Sequence, residues 1–349
     1  MSPPRHLSAE QLERIKADVL HKYEKEASKP LSVVIMGQTG AGKSSLLNVL
    51  FGADLPTGDV RPVTKEPEAI HLPGKSGHSL TFWDMPGIGE SVGADVDYMA
   101  MYREKLIGCD VVIWALHSDN RSTTYEASCL RRLLTAVGGT GSTGGTDGTD
   151  GTDGAALANK LTFVMTKVDI LTPPSWIFAL HRDSGVFAPG ARLADKLAAK
   201  ALHYEEVFVR PWAHALVSTT YNPGGFAHSD DRLGYDDYTI RYRGYVSAEV
   251  CQNYQRRFPA EAEVFARLRD NHRVLACSAL FRFNLAQLMV AVVNKLGPGA
   301  TARFRRLLGE TERLAEVPVD TMRGLGNFLI WDGARKLLDL SDPTLPPKL

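Results

Sequence analysis

Short apolar runs alternate with amphipathic stretches along most of the chain. Residues 31–36, 111–116 and 161–165 are dominated by Val, Ile, Leu, Met and other apolar side chains, with little polar alternation. Such runs read as strands buried on both faces of a sheet. Residues 68–72 and 79–83 read as two more strands around a Gly/Ser-rich turn at 73–78, and 274–276 as another. Between them, 46–50, 95–107, 122–137, 191–204 and 284–296 place apolar residues at helical spacing, as in Leu193, Leu197, Ala201 and Tyr204. A further amphipathic helix is expected over 8–28, with Leu12, Ile15, Val19 and Tyr23 in register behind a Ser8/Gln11 capping box. It packs on the following domain or faces a partner or a membrane. Strands alternating with helices predict an α/β fold: a three-layer sandwich, mostly parallel, with helices on both faces of the sheet.

The pattern breaks in three places. Residues 138–154 are almost only Gly, Thr, Asp and Ser, too polar to bury a core, and are expected to form a flexible loop. The stretch 171–270 is far longer than one helix and one strand require and is expected to be an inserted subdomain. It holds the predicted helix 191–204, a candidate hairpin at 235–245, and six of the chain's eleven tyrosines between Tyr221 and Tyr254. Those tyrosines suit a small core, a protein interface or RNA stacking. Past a Gly-Pro-Gly hinge at 297–299, a basic stretch, 302–308, and an apolar, aromatic one, 322–340, predict a helical C-terminal tail. This tail docks on the domain or meets a partner or an anionic membrane.

Composition narrows the classes. Of 349 residues, 40 are basic and 40 acidic, so formal net charge is +0, which argues against non-specific nucleic-acid binding. The four cysteines are scattered, with no C-x-x-C pair and no H-E-x-x-H. That pattern favours buried reduced thiols over a zinc site, and hence a cytoplasmic protein, with a peripheral membrane position as the alternative. No signal-peptide pattern and no run of about 18 apolar residues is apparent.

The densest chemistry lies at Gly37–Ser45, Gly-Gln-Thr-Gly-Ala-Gly-Lys-Ser-Ser. It fits G-x-x-x-x-G-K-[ST] between a predicted strand and a predicted helix, the context a phosphate-binding loop needs. The glycines let successive N–H groups face an anion, and the helix N-terminus adds its positive end. Lys43 supplies a cation for terminal phosphates and Ser44 an oxygen for Mg²⁺. Asp84, at the end of the 79–83 strand, is placed to help hold that ion.

The ordered set Gly37–Ser45, Thr64, Asp84-Met85-Pro86-Gly87, Thr166-Lys167-Val168-Asp169 and Cys277-Ser278-Ala279 resembles the five motifs of P-loop GTPases. Arg-Pro-Val-Thr-Lys-Glu, Asp-Met-Pro-Gly-Ile-Gly-Glu-Ser and Tyr-Arg-Glu-Lys-Leu are most similar to bacterial Era-like GTPases, the 50S-ribosome-binding type. Trp-Asp-Met-Pro-Gly-Ile-Gly also resembles the immunity-related GTPases. The resemblance covers about 31–170 and 272–296. It implies a GTP hydrolase with Mg²⁺ as cofactor, held by Ser44, Thr64 and Asp84. Nucleotide would be bound by Gly37, Gln38, Thr39, Gly40, Ala41, Gly42, Lys43, Ser44 and Ser45, and by Thr166, Lys167, Asp169, Ser278 and Ala279. Asp169 would accept the paired guanine donors, Lys167 would lay its stem along the base, and the Ala279 N–H would meet the guanine carbonyl. Lys43, Thr64 and Gly87 would act on the transferring phosphate, with Thr64 and Gly87 releasing their loops after hydrolysis.

Three positions depart from the family pattern. Thr166 stands where Asn is commoner. Ile88 stands where many GTPases place a water-orienting Gln. Gly40 stands where a K⁺-binding Asn occurs in some relatives. Slow intrinsic turnover is therefore expected, raised by a partner or by self-association through the insertion or the tail, with Arg61 a candidate charge donor. The alternatives are a GTP-controlled assembling protein with incidental hydrolysis and an RNA- or ribosome-associated factor.

Overall fold

The computed structural model describes residues 31–51, 55, 57, 66–73, 79–88, 92–120, 123–135, 157–171, 176–180, 184–222, 225–236, 239–295, 316–318, 329–332 and 335–339. The helix expected over 8–28, the loop expected over 138–154, the stretch 302–308, Arg61 and Thr64 lie outside these residues. In chain order the first elements are β1 (Leu31–Gly37), α1 (Lys43–Phe51), β2 (Glu68–Pro73), β3 (Ser79–Asp84), α2 (Val92–Gly108), β4 (Val111–His117), α3 (Thr124–Thr135) and β5 (Leu161–Thr166). Then follow β6 (Trp176–Leu180), β7 (Ser184–Pro189), α4 (Ala191–Tyr204), β8 (Val217–Tyr221), β9 (Leu233–Tyr235) and β10 (Thr239–Arg243). The last are α5 (Ala248–Arg257), α6 (Ala262–Asp270), β11 (Leu275–Ala276), α7 (Leu285–Lys295), β12 (Glu316–Pro318), β13 (Leu329–Asp332) and β14 (Arg335–Asp339).

The main sheet has the order β11-β5-β4-β1-β3-β2. Its strands run parallel except β2, which pairs antiparallel with β3 at the edge. Strand sides sort by parity, because successive side chains point to opposite faces. Val34, Met36, Val112, Trp114, Leu116, Phe163 and Met165 face α2, α3 and α4. Val33, Ile35, Val111, Ile113, Ala115 and Val164 face α1 and α7, where Leu46, Leu47, Leu285, Leu288 and Val292 complete the second layer. Both faces are covered, which is why these strands read as unbroken apolar runs. The register Ile35↔Asp84, Gly37↔Ala115 and His117↔Thr166 brings the loops after β1, β3, β4 and β5 to one sheet edge. In open parallel sheets that edge is where ligands bind.

The predicted insertion, 171–270, is not one unit. The stripe Leu193, Leu197, Ala201 and Tyr204 shares a core with Trp114 and Phe163, so α4 is a helix of the main sandwich. It runs on through a widened turn, Glu205–Val209, in which the Arg210 N–H reaches back to the Glu205 carbonyl. The separate core is built by β8–β10, α5 and α6 around Phe226, Leu233, Ile240, Tyr242, Val264, Phe265 and Leu268. Ser247 caps α5 by accepting the Val250 N–H, and Arg256 and Arg257 sit in its last turn, both favourable for a short helix. The expected hairpin is β9–β10, extended by β8. Among the described tyrosines, Tyr242 is buried in this core, Tyr254 stacks on Phe265 while donating to Asp230, and Tyr235 is exposed.

The tail differs from the helical expectation. β13 and β14 form an antiparallel hairpin, and β12 adds to β7 to make the small sheet β12-β7-β6. Leu329-Ile330-Trp331-Asp332 holds a β-branched and an aromatic residue, which favour a strand over the helix that the leucine spacing suggests. No helix among the described residues is long and apolar enough to cross a membrane.

Candidate functional site

Gly37 ends β1 with φ 141° and lies so close to β4 that a Cβ would stand 2.1 Å from the Ala115 carbonyl oxygen. Only glycine allows the chain to leave the sheet there. The loop then closes on itself, with the Ala41 N–H on the Gln38 carbonyl at 3.1 Å, and α1 starts at Lys43. Lys43 is buried, and its Nζ donates to the Gly37 and Gln38 carbonyls at 3.3 and 3.2 Å. The ammonium is thus held within the ring of the loop rather than in solvent. Ser44, on the first turn of α1, donates its hydroxyl to Asp84 Oδ2 at 2.6 Å. Asp84 is fully buried at the end of β3.

Gly87 lies directly on the loop: a Cβ at this position would come 2.1 Å from Thr39 Oγ1 and 2.5 Å from Thr39 Cα. The next residue is joined to the loop by two backbone bonds, Ile88 N–H to the Gly37 carbonyl and Thr39 N–H to the Ile88 carbonyl, each 3.1 Å. The Ile88 side chain is buried. Tyr102, on α2, fixes the same segment from behind by donating to the Pro86 carbonyl at 2.8 Å.

The loop after β5 meets the phosphate loop at its other end. Thr166 Oγ1 donates to the Ala41 carbonyl at 2.5 Å and lies 3.1 Å from the Leu116 carbonyl. Lys167 takes a left-handed conformation, φ 53°, its carbonyl held by the Ser118 hydroxyl at 2.7 Å. A Cβ added to Gly42 would sit 3.5 Å from Lys167 Cε, so the Lys167 stem runs across that glycine. Asp169 Oδ1 accepts the Ser278 hydroxyl at 2.5 Å, which brings the 277–279 segment to the loop after β5. The Cys277 N–H bonds the Met165 carbonyl, and the Phe281 N–H bonds Ser278 Oγ. Ala279 follows in that turn. Cys277 is buried, and burial pushes its thiol well above the ordinary range, as suits a packing residue. Trp176 of β6 packs edge-on against Phe281 and Phe283, and Phe187 of β7 stacks on Phe281 at 4.1 Å. The β6–β7 hairpin therefore braces the 278–283 turn.

The structure brings the phosphate loop, Asp84, Gly87, Thr166, Lys167, Asp169 and Ser278 to one edge. Four residues that sequence reasoning missed stand behind the loop. Asn120 donates to Gln38 Oε1 at 3.0 Å. Tyr204 donates to the carbonyls of His117 and Asn120. Trp114 Nε1 donates to Glu126 Oε1 at 2.9 Å. Glu126 is 1% exposed, and burial pushes its carboxyl up to about 7, opposed by the Trp114 and Gln38 N–H groups and by Lys43. Its second oxygen makes no hydrogen bond of ordinary geometry. One signal was legible: Glu126, Cys129, Leu130 and Leu133 share one helical stripe, so a carboxylate sits on the buried face.

Residues 32–136 match the 50S ribosome-binding GTPase family. Two similar curated proteins are from Escherichia coli strain K12. The uncharacterized protein YkfA is 44% identical over 93 residues, 26% of this chain and 32% of the relative. The uncharacterized protein YfjP is 40% identical over 101 residues, 29% of this chain and 35% of the relative. The chain thus spans about a third of the length of these relatives. A similar solved structure is LeoA, a bacterial dynamin GTPase from ETEC, with TM-score 0.42 and 10% identity over 87% of this chain and 41% of that one.

Proposed function

We propose that this GTPase domain binds GTP with Mg²⁺, hydrolyses it slowly to GDP and phosphate, and works as a nucleotide-dependent switch. The observation that carries the reading is the bond from Thr166 Oγ1 to the Ala41 carbonyl, which joins a base-binding loop to a phosphate-binding loop on one sheet edge. Asp169, held by Ser278, presents a carboxylate at that edge. A carboxylate accepts the guanine ring N–H and amino group together, and adenine has no such donor pair, so a site built on it discriminates strongly.

The residues fit a magnesium ion. Ser44 Oγ and Asp84 Oδ2 are adjacent hard oxygens, the donor type that magnesium prefers. When bound, Mg²⁺ offsets the charge of the β- and γ-phosphate oxygens. The loop N–H groups and Lys43 do the same from the protein side and orient the chain of phosphates. Thr64 is proposed as a third oxygen for the ion. Ile88 has no group to orient water and its side chain is buried, which supports slow turnover.

The switch reading is favoured by the contact of Gly87 and Ile88 with Thr39 and Gly37. A third phosphate at the loop must meet this segment, so its presence or absence is passed straight to the chain after β3. A protein partner, or a second copy, acting through the 217–270 unit or the tail is part of the proposal. Four buried free cysteines support a cytoplasmic setting. Phosphate release from dilute pure protein tests the reading: turnover should be slow, need Mg²⁺ and vanish in Lys43→Ala. Hydrolysis that survives Lys43→Ala would overturn it.

A further inference from the structure

The turn that carries Ser278 and Ala279 is backed by a hairpin that the reading above does not use. In that turn Arg282 and Asn284 take left-handed conformations, φ 50° and 57°. For residues with a side chain this region is uphill, and it persists only where the surroundings fix it. Within the turn, Ser278 and Phe283 exchange backbone bonds at 3.2 and 3.0 Å, and Ser278 Oγ accepts the Phe281 N–H at 3.0 Å. Support from outside comes from Trp176, whose ring stands edge-on to both Phe281 and Phe283 at 5.1 Å. The Trp176 Nε1 is buried and makes no hydrogen bond among the described residues, so the indole acts through ring packing.

The hairpin that carries Trp176 is itself firmly seated. Phe178 and Phe187 share the core of the main sandwich, and Phe187 stacks on Phe281 at 4.1 Å. Gly185 leaves room for the Phe178 ring, where a Cβ would stand 2.0 Å from Cζ. The other edge of β7 is paired with β12. Three strands packed on a core make a stable support, where an isolated hairpin would be marginal. We propose that Trp176 is a positioning residue of the base site: it fixes the turn bearing Ser278 and Ala279, and so sets how tightly guanine is held while leaving phosphate chemistry unchanged. This rests on the reading of Asp169, Ser278 and Ala279 as that site. Two base contacts depend on the turn. The Ser278 hydroxyl donates to Asp169 Oδ1 at 2.5 Å and so orients the carboxylate for the guanine donors. Ala279, next in the turn, offers its N–H to the guanine carbonyl. The phosphate loop is held by other groups: Lys43, Thr166 and the Ile88 backbone. A looser turn therefore weakens the base contacts and spares the phosphates.

Equilibrium titration of the full chain with Mg·GDP and with Mg·pyrophosphate, which fills the phosphate loop and has no base, separates the two. Trp176→Ala should bind GDP about tenfold more weakly, the equivalent of one to two hydrogen bonds. Its pyrophosphate affinity should stay within about twofold of wild type. In GTP hydrolysis its KM should rise by the same factor as the GDP dissociation constant, with kcat changed less than about threefold, since slow chemistry makes KM follow binding. Trp176→Phe keeps an aromatic ring against Phe281 and Phe283 and should recover most of the GDP affinity. In wild type alone, amide hydrogen exchange over 176–180 and 278–283 should slow with GDP and not with pyrophosphate, which needs no variant. Wild-type GDP affinity in Trp176→Ala, an equal loss of GDP and pyrophosphate, or exchange at 176–180 that ignores GDP overturns the proposal. If Asp169→Asn loses GDP in the same assay, the base-site reading stands without it. No GDP binding by wild type overturns that reading and this proposal together.

Discussion

Thr166 and Ala41, 125 positions apart in sequence, are joined by a hydrogen bond of 2.5 Å from the threonine hydroxyl to the alanine carbonyl. The same hydroxyl lies 3.1 Å from the Leu116 carbonyl, so one side chain links the loop after β1, the end of β4 and the loop after β5. Thr166 thus makes the tie that the commoner Asn would be expected to make. Replacing it with Val removes the bond and leaves buried carbonyls without their donor, a loss of about 1–3 kcal/mol. Thr166→Val should weaken GDP binding by roughly ten- to a hundredfold, read by equilibrium titration, whereas Thr166→Asn should stay near wild type. Unchanged affinity in the valine variant would show that the two loops are held together by something else.

Gly87→Ala should separate chemistry from binding. The added methyl would meet Thr39 backbone at 2.5 Å, so residue 87 cannot keep its place on the loop. The Ile88 bonds to Gly37 and Thr39 should then be lost, while the base site is untouched. GTP turnover is expected to fall at least tenfold, on the order of one transition-state hydrogen bond, with GDP affinity changed less than about threefold. Turnover equal to wild type would remove residue 87 from the switch.

Glu126 also sets a pH dependence of stability. Its folded-state value, about 7, lies above its ordinary 4.5, because burial disfavours the charge. The folded protein therefore holds this proton more tightly than the unfolded chain. The contribution is complete below about 4.5 and is lost as pH rises through about 7. Across that window wild type should lose about 3 kcal/mol relative to Glu126→Gln. Urea unfolding of both proteins at pH 5 and pH 8 checks this; a constant difference would contradict it.

Much of the site was legible because its chemistry depends on local strings. Gly37–Ser45 sits between two elements whose apolar patterns are unambiguous, and Asp84 and Asp169 each follow a buried strand. The stripe Leu193, Leu197, Ala201 and Tyr204 located α4, but periodicity does not say which core a helix joins, so α4 was grouped with the insertion instead of the main sheet. In the tail, leucine spacing suggested helix where Ile330 and Trp331 favour a strand. The brace of Trp176 and Phe187 on Phe281 and Phe283 was invisible because the contact spans about a hundred residues and the turn carries no pattern of its own. Glu126 gave only a polar break in an apolar stripe, a feature that is more often a partly solvated position.

The selection of guanine by Asp169 is tested most directly by competition between nucleotides. Xanthine carries a carbonyl where guanine has its amino group, so an amide at 169 can donate where a carboxylate could only accept. In magnesium buffer, wild type should retain GDP and reject XDP and ADP. Asp169→Asn should lose GDP affinity by at least about a hundredfold and gain XDP, since a mismatched buried donor or acceptor loses both its bond and its hydration. Asp169→Asn protein that keeps wild-type GDP affinity and still rejects XDP would show that this carboxylate does not read the base.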